Sequence, residues 1–246
     1  MNILFNAFLY HSRIPVPRST LCTPETLSRS LRYFPLVGIV VGAIGWCAYW
    51  LVAMLLPHNI AVMAAMAAML LSTGALHEDG FADFCDGFGG GYTKEAILRI
   101  MKDSHIGTYG VIGLIMVIGV RYLLLCSFEP MDMLKVFIVA QGASRFAPVV
   151  MVRTSTYARS EPSKSSHSAL KLSLWSVVIA MVLALAPLAL FGWEFAASYV
   201  GVMSIIFVGF RAYIYKHIEG FTGDTLGALQ QIGEVAFYTT LLAFQM

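Results

Sequence analysis

The stretch from Phe34 to Leu56 is 23 residues long and carries no charged side chain. A helix needs roughly 20 apolar residues to cross the hydrocarbon core of a bilayer. In lipid the backbone cannot bond to water, so a helix is how a single segment satisfies its own N–H and C=O groups. The pattern repeats along the chain: Ile60 to Leu76, Tyr109 to Phe128, Met133 to Val152, Leu172 to Gly192 and Phe195 to Ile214 are further apolar runs. Arg121 interrupts one of these, and Gln141, Ser144 and Arg145 lie in the next. Leu229 to Met246 contains Gln230, Gln231 and Glu234 and reads as a seventh span with an inward-facing polar stripe. Charged residues make up 12% of the chain, against about 25% in soluble domains. The expectation is one all-α domain over residues 1–246, a polytopic membrane bundle of about six to seven transmembrane helices. Gly38, Gly42 and Gly45 share a face of the first span and predict close approach of another helix.

The positive charges orient this bundle. Residues 1–33, 77–108, 153–171 and 215–227 hold 12 of the 16 Lys and Arg residues, whereas the intervening turns around His58, over Phe128 to Asp132 and at Trp193 and Glu194 hold none. Positively charged loops stay in the cytoplasm, which puts both conspicuous polar stretches, residues 74–110 and Lys216 to Ala228, on the cytoplasmic side. Trp50 and Trp193 fall near outer span ends and Trp175 near an inner one, as amphipathic indoles prefer. The net charge of +2 is too small to suggest nucleic acid. Cys22, Cys47, Cys85 and Cys126 lack metal-ligand spacing and read as reduced or membrane-buried thiols. Met1 to Tyr10 lacks the basic start and cleavage site of a signal peptide. Pro15 and Pro17 predict that a first helix stops near Ser12, and this N-terminal part, with Arg13, Arg18, Arg29 and Arg32, reads either as a surface-lying anchor or as a place where Arg13 or Arg18 meets a phosphate.

Residues 74–110, GALHEDGFADFCDGFGGGYTKEAILRIMKDSHIGTYG, concentrate acid between apolar runs. Asp79, Asp83 and Asp86 are spaced by four and three, so a helix would put them on one face. Carboxylates so close repel and lose hydration beside a membrane, and a divalent cation supplies a reason for them. Mg²⁺ takes hard oxygen ligands and keeps positions for water or substrate phosphate, and Asp224, with Asp103 as a further candidate, is expected to join the set. Two metals would clamp the attacking and leaving oxygens of a phosphoryl transfer. Lys102, Arg145, Arg153, Arg159 and Lys216 could neutralise a diphosphate, glycines such as Gly80, Gly107, Gly223 and Gly227 could let backbone N–H groups approach it, and His77 or a metal-free aspartate could accept a proton. Against these stand structural roles. The acids could be a solvated loop, Asp103 and His105 a helix cap, Arg121 an interior ion pair, Arg145 either packing or function, and His11, His58, His167 and His217 mostly surface or interfacial groups. A cation-coupled transporter would place its carboxylates near mid-bilayer in repeated halves, which this chain does not do. A membrane CDP-alcohol phosphotransferase fits less well, because Asp83 follows DGFA and the aspartates are not spaced in steps of four.

Taken together, SRIPVP, FPLVGIVVG, TGALHEDGFADFCDG, RIMKDSHIGTYG, YAR and GFTGDTLGA, in that order from about residue 8 to residue 235, resemble the cobalamin synthase family, the adenosylcobinamide-GDP ribazoletransferases. The resemblance implies a Mg²⁺-dependent, multi-pass inner-membrane transferase whose site faces the cytoplasm. In it, a hydroxyl of α-ribazole or its 5′-phosphate attacks the cobinamide-bearing phosphoryl of adenosylcobinamide-GDP, giving adenosylcobalamin or its 5′-phosphate and releasing GMP. The lipid bilayer is the other expected partner, and a homo-oligomer is left open. By resemblance the functional positions are His77, Asp79, Gly80, Asp83, Asp86 and Gly87, then Asp103, Ser104, Ile106 and Gly107, then Thr222, Gly223 and Asp224. Four departures stand out. His105 replaces an expected arginine and could partly serve as a phosphate contact if protonated. Glu78 replaces an apolar residue and adds either a metal ligand or an exposed charge, Ser160 and Pro162 interrupt the segment after YAR, and Glu219 stands where glycine is common.

Overall fold

The computed structural model describes residues 2–18, 20, 23–159 and 172–245; Cys22, Ser160, Pro162 and most of the expected serine-rich loop lie outside them. Among the described residues the regular structure is helical, apart from one isolated bridge between Tyr157 and Phe221. In chain order the helices are α1 (Asn2–His11), α2 (Pro24–Ser30), α3 (Phe34–Ala53), α4 (His58–Thr73), α5 (Leu76–Gly90) and α6 (Lys94–Ile100). There follow α7 (Thr108–Cys126), α8 (Met133–Ala143), α9 (Phe146–Thr154), α10 (Leu174–Leu185), α11 (Trp193–Ile218) and α12 (Gly223–Gln245). Five continuous stretches among them are long and apolar enough to cross a membrane: Glu25–Ala53, Thr108–Cys126, Pro130–Thr154, Leu174–Phe191 and Trp193–Ile218. The bent pair α4 and α5 brings the number to six.

The expected membrane bundle is therefore present, with local breaks that have identifiable causes. Ile60 to Leu76 does not continue straight: Gly74 and Ala75 both adopt the left-handed conformation, at φ 67° and 60°, and the chain turns by 86° into α5. Gly74 accepts that geometry without a Cβ penalty, whereas Ala75 is strained. α8 gives way to α9 at Ser144 and Arg145 because Pro148 lacks an N–H and its ring crowds the carbonyl four residues back. Pro187 likewise accompanies the change from α10 to the 3₁₀ turn Ala186–Phe191. α1 stops at His11, and the Ser12 hydroxyl donates to the Phe8 carbonyl.

Lipid and protein faces separate cleanly. Leu55, Ile115, Val208 and Ile205 are largely exposed, a pattern that in water would be an association surface and in a bilayer is the lipid face. Trp50, Trp175 and Trp193 are exposed as well. The α8–α9 span is 78% buried in its most apolar window, and α12 is enclosed along most of its length, with Gln230, Gln231 and Glu234 each 1% exposed. α12 is long enough to cross the bilayer but lacks the apolarity of the five spans, since protein surrounds it. The glycines of α3 work as expected: a Cβ at Gly38 or Gly42 would collide with the α8 backbone at Gln141 or Phe137, and one at Gly45 with Met69 of α4.

Candidate functional site

α5 and α12 carry the two acidic motifs, and glycine sets their crossing. A Cβ on Gly80 would lie 3.0 Å from the Asp224 Cα, and one on Gly227 would lie 3.2 Å from the His77 carbonyl oxygen. Only two facing glycines permit so close a contact without displacement. These residues, expected to open backbone to a phosphate, serve instead to bring Asp79 and Asp83 beside Asp224. The three carboxylates act electrostatically on one another. Asp224 is held by Arg159, whose Nη2 donates to Oδ2 at 2.9 Å, and by the Thr222 hydroxyl at 3.3 Å. Arg159 Nε is buried and has no partner among the described residues.

Asp79, Asp224, Arg159 and Gly223 open into a cavity of about 450 Å³. Its remaining walls come from α1, α2, the start of α3, Pro148 and Val152 of α9, and the Tyr157 and Phe221 rings. Thr222 and Thr225 cap the start of α12 reciprocally, each backbone N–H donating to the other hydroxyl at 2.9 and 3.2 Å. The positive end of the α12 dipole therefore lies at the cavity wall beside Gly223.

Other expected site residues have different places. Asp86 shares the face of α5 with Asp79 and Asp83, but its carboxylate accepts from the Gly107 and Gly110 N–H groups at 2.7 and 2.8 Å. It caps α7, which starts after a glycine and has no cap of its own. Glu78, expected to be a metal ligand or an exposed charge, is not exposed and is held in an ion pair. It is 7% exposed and pairs with Arg121 at 3.1 Å. Arg121 also pairs with Glu234 at 2.7 Å, which is the interior ion pair expected of it. Arg145 does not reach the cavity: it is 1% exposed, donates to the Gln141 backbone and side-chain oxygens, and lies over the Phe34 ring. A cation at that depth must find its acceptors inside the bundle.

The basic and loop residues are scattered. Arg13 is exposed, packs over Gly74 and donates its N–H to the Ser72 carbonyl, covering the α4–α5 elbow. Lys102, Asp103, Ser104 and His105 form an exposed turn before α7. There the His105 ring and backbone N–H bond to Asp103 at 2.7 and 3.0 Å, holding its carboxyl below the usual range. Arg153 and Lys216 are exposed and line no part of the cavity. Glu219 is the left-handed C-cap of α11, at φ 59°, a position that favours glycine; its hydrogen bond from Lys94 lowers the Glu219 carboxyl.

His77 lines the cavity but is 4% exposed, stacked on Phe34, in a neighbourhood shared with Arg145 and Arg121. His11, expected near the surface, is buried on the same wall. The sequence carried no periodic sign of this wall; the one hint is an aromatic-histidine pair ending a short helix just before Pro15. Among the described residues no three His, Cys, Asp or Glu side chains are drawn together as a self-sufficient metal site. Mg²⁺ does not require one, since it is commonly held by one or two carboxylates plus water and substrate phosphate. Asp79, Asp83 and Asp224, with Arg159 the one cation in direct opposition among the described residues, are a hard-oxygen set of net negative charge that fits such an ion.

Comparison with known proteins agrees with the motif order. Curated relatives called adenosylcobinamide-GDP ribazoletransferase include one from Vibrio cholerae, 41% identical over 246 residues and covering 99% of this chain and 94% of the relative. Another, from Ralstonia pickettii, is 41% identical over 244 residues, 98% and 95% of the two chains, and one from Leptospira interrogans is 38% identical over 242 residues, 94% and 91%. No solved structure matches. Residues 3–242 match the cobalamin-5-phosphate synthase family, and the chain belongs to that family.

Proposed function

We propose that this protein is an adenosylcobinamide-GDP ribazoletransferase, joining α-ribazole or its 5′-phosphate to adenosylcobinamide-GDP in the nucleotide-loop step of cobalamin synthesis. One observation carries the reading: Asp79 of α5 and Asp224 of α12, from distant parts of the chain, line a single cavity together with Arg159. A ribose hydroxyl oxygen forms the new bond to the cobinamide-bearing phosphorus, the bond from that phosphorus to the GMP oxygen breaks, and GMP leaves. Arg159 Nε and the first turn of α12 are the donors for phosphoryl oxygens. Asp79 and Asp224 would hold Mg²⁺, which when bound would offset the charge on the diphosphate. The hydroxyl proton passes to an Asp83 carboxylate oxygen. Asp83 lies among the like charges of Asp79, Asp224 and Asp86, whereas His77 is buried near Arg145 and Arg121.

The charge distribution supports an inner-membrane, multi-pass protein with this cavity on the cytoplasmic side. The geometry gives transport no support, because Asp79, Asp83 and Asp224 gather beside the α4–α5 elbow, while the acids inside the bundle, Glu78 and Glu234, are paired with Arg121. The test is purified protein in lipid with adenosylcobinamide-GDP, α-ribazole and Mg²⁺, assayed for GMP. Release that requires both α-ribazole and Mg²⁺ supports the reading; release without α-ribazole indicates hydrolysis, and no release overturns it.

A further inference from the structure

The cavity is far larger than three polar residues at one wall need. Its volume of about 450 Å³ lies within the roughly 300–1,000 Å³ of small-molecule sites. Asp79, Asp224 and Arg159 are the charged side chains among its described lining. Away from them the wall is a run of rings: His11 lies 4.3 Å from Phe34 at an interplanar angle of 33°, and Phe34 lies 5.6 Å from His77 at 26°. Leu27, Leu31, Val152 and Phe221 supply apolar surface. His11 is 7% exposed, lines the cavity, and buries an Nε2 with no hydrogen-bond partner among the described residues. Such an atom carries a standing penalty that a ligand's hydrogen bond would remove.

We infer that this cavity seats the acceptor nucleoside, its fused-ring, largely apolar base against the His11–Phe34–His77 wall and one polar atom of the ligand paired with His11 Nε2. This rests on the function proposed above and adds to it which substrate occupies the cavity. A flat ring system gains stacking and apolar contact from these walls. The ribose, attached to it, then falls beside Asp79 and Asp83, where its hydroxyl must react. Guanine fits less well, because its pairing edge presents two N–H donors that call for acceptors, and the acidic side chains of this cavity are the ones already committed to the reaction.

The experiment measures, on full-length protein in lipid, equilibrium binding of α-ribazole alone and the KM for each substrate in GMP release. His11→Phe keeps the ring and removes the nitrogen. It should raise the Kd and KM for α-ribazole about tenfold, the usual consequence of one lost buried hydrogen bond, and leave the KM for adenosylcobinamide-GDP within about twofold. Leu27→Trp, which fills the cavity from α2, should do the same and serves if the first variant does not fold. Unchanged α-ribazole binding in a folded variant overturns the inference while leaving the proposed function standing. A rise confined to adenosylcobinamide-GDP overturns it in favour of guanosine. Loss of α-ribazole binding in a variant whose parent binds the nucleoside but releases no GMP supports the site and rejects the reaction.

Discussion

Replacing Arg121 by glutamine tests whether charge balance holds the bundle interior together. Arg121 Nη1 donates to Glu78 Oε1 at 3.1 Å and to Gln231 Oε1 at 2.8 Å, and Nη2 meets Glu234 at 2.7 Å. With Arg145 nearby, the cluster holds two cations and two anions and is neutral. Arg121→Gln leaves it with one excess negative charge. Glu234 keeps donors from Gln141 at 2.7 Å, Gln230 at 3.1 Å and Tyr238 at 3.0 Å, but among the described residues Glu78 keeps one, Gln231 at 3.1 Å, and its Oε2 has none. The unbalanced charge therefore falls on Glu78. Breaking a buried pair from one side costs about 3–5 kcal/mol. Glu78→Gln on top of Arg121→Gln restores neutrality and should recover roughly 2–3 kcal/mol of it. Unfolding in mixed detergent micelles, with amplitude compared across wild type, both single variants and the double, gives the coupling. A double variant less stable than Arg121→Gln alone, or a single variant as stable as wild type, would refute the charge argument.

Three further outcomes follow from the same contacts. Asp83→Asn should abolish GMP release without moving the unfolding midpoint, whereas Asp86→Ala should lower stability by about 1–2 kcal/mol through loss of the α7 cap; equal stability of the two would remove the distinction between them. Gly227→Val should force α5 and α12 apart, costing about 1–3 kcal/mol as overpacking does and most of the activity, and normal turnover would show that the crossing tolerates separation. Reporters inserted after Tyr92 and after Met131, both almost fully exposed, should report the cytoplasmic and the opposite side respectively, and the reverse result would invert the orientation.

The bundle was legible in the sequence because lipid imposes one rule on every span: an uncharged run becomes a helix, and small residues on one face become a contact. Phe34 to Leu56 obeys it and yields α3, with Gly38 and Gly42 against α8. The acidic face of α5 was legible for the complementary reason, that carboxylates beside a membrane need a purpose. What spacing could not show is which partner each acid finds. Asp86 is one turn from Asp83, yet its partner is the start of α7, 21 residues on. Glu78 is adjacent to Asp79, yet its side chain points into the bundle, about 100° around the helix, where Arg121 waits. The elbow was hidden too, because Gly74 and Ala75 lie inside an apolar run and nothing but backbone conformation marks them.

That division between neighbours on α5 explains how a loosely assembled set of acids keeps its geometry. Glu78 binds Arg121 and Gln231, and Gln231 lies on α12 two turns beyond Asp224, so the buried cluster fixes the sliding of α5 along α12 and glycines fix their separation. With both degrees of freedom set deeper in the bundle, Asp79 and Asp83 need no mutual attraction to stay opposite Asp224; they repel, and the scaffold holds them regardless. A stable protein can then present uncompensated negative charge at the cavity, and that charge is available to a cation and a diphosphate arriving together. Were Asp79 and Asp83 held by hydrogen bonds of their own, as Asp86 is, the substrate would have to break those bonds before it could bind.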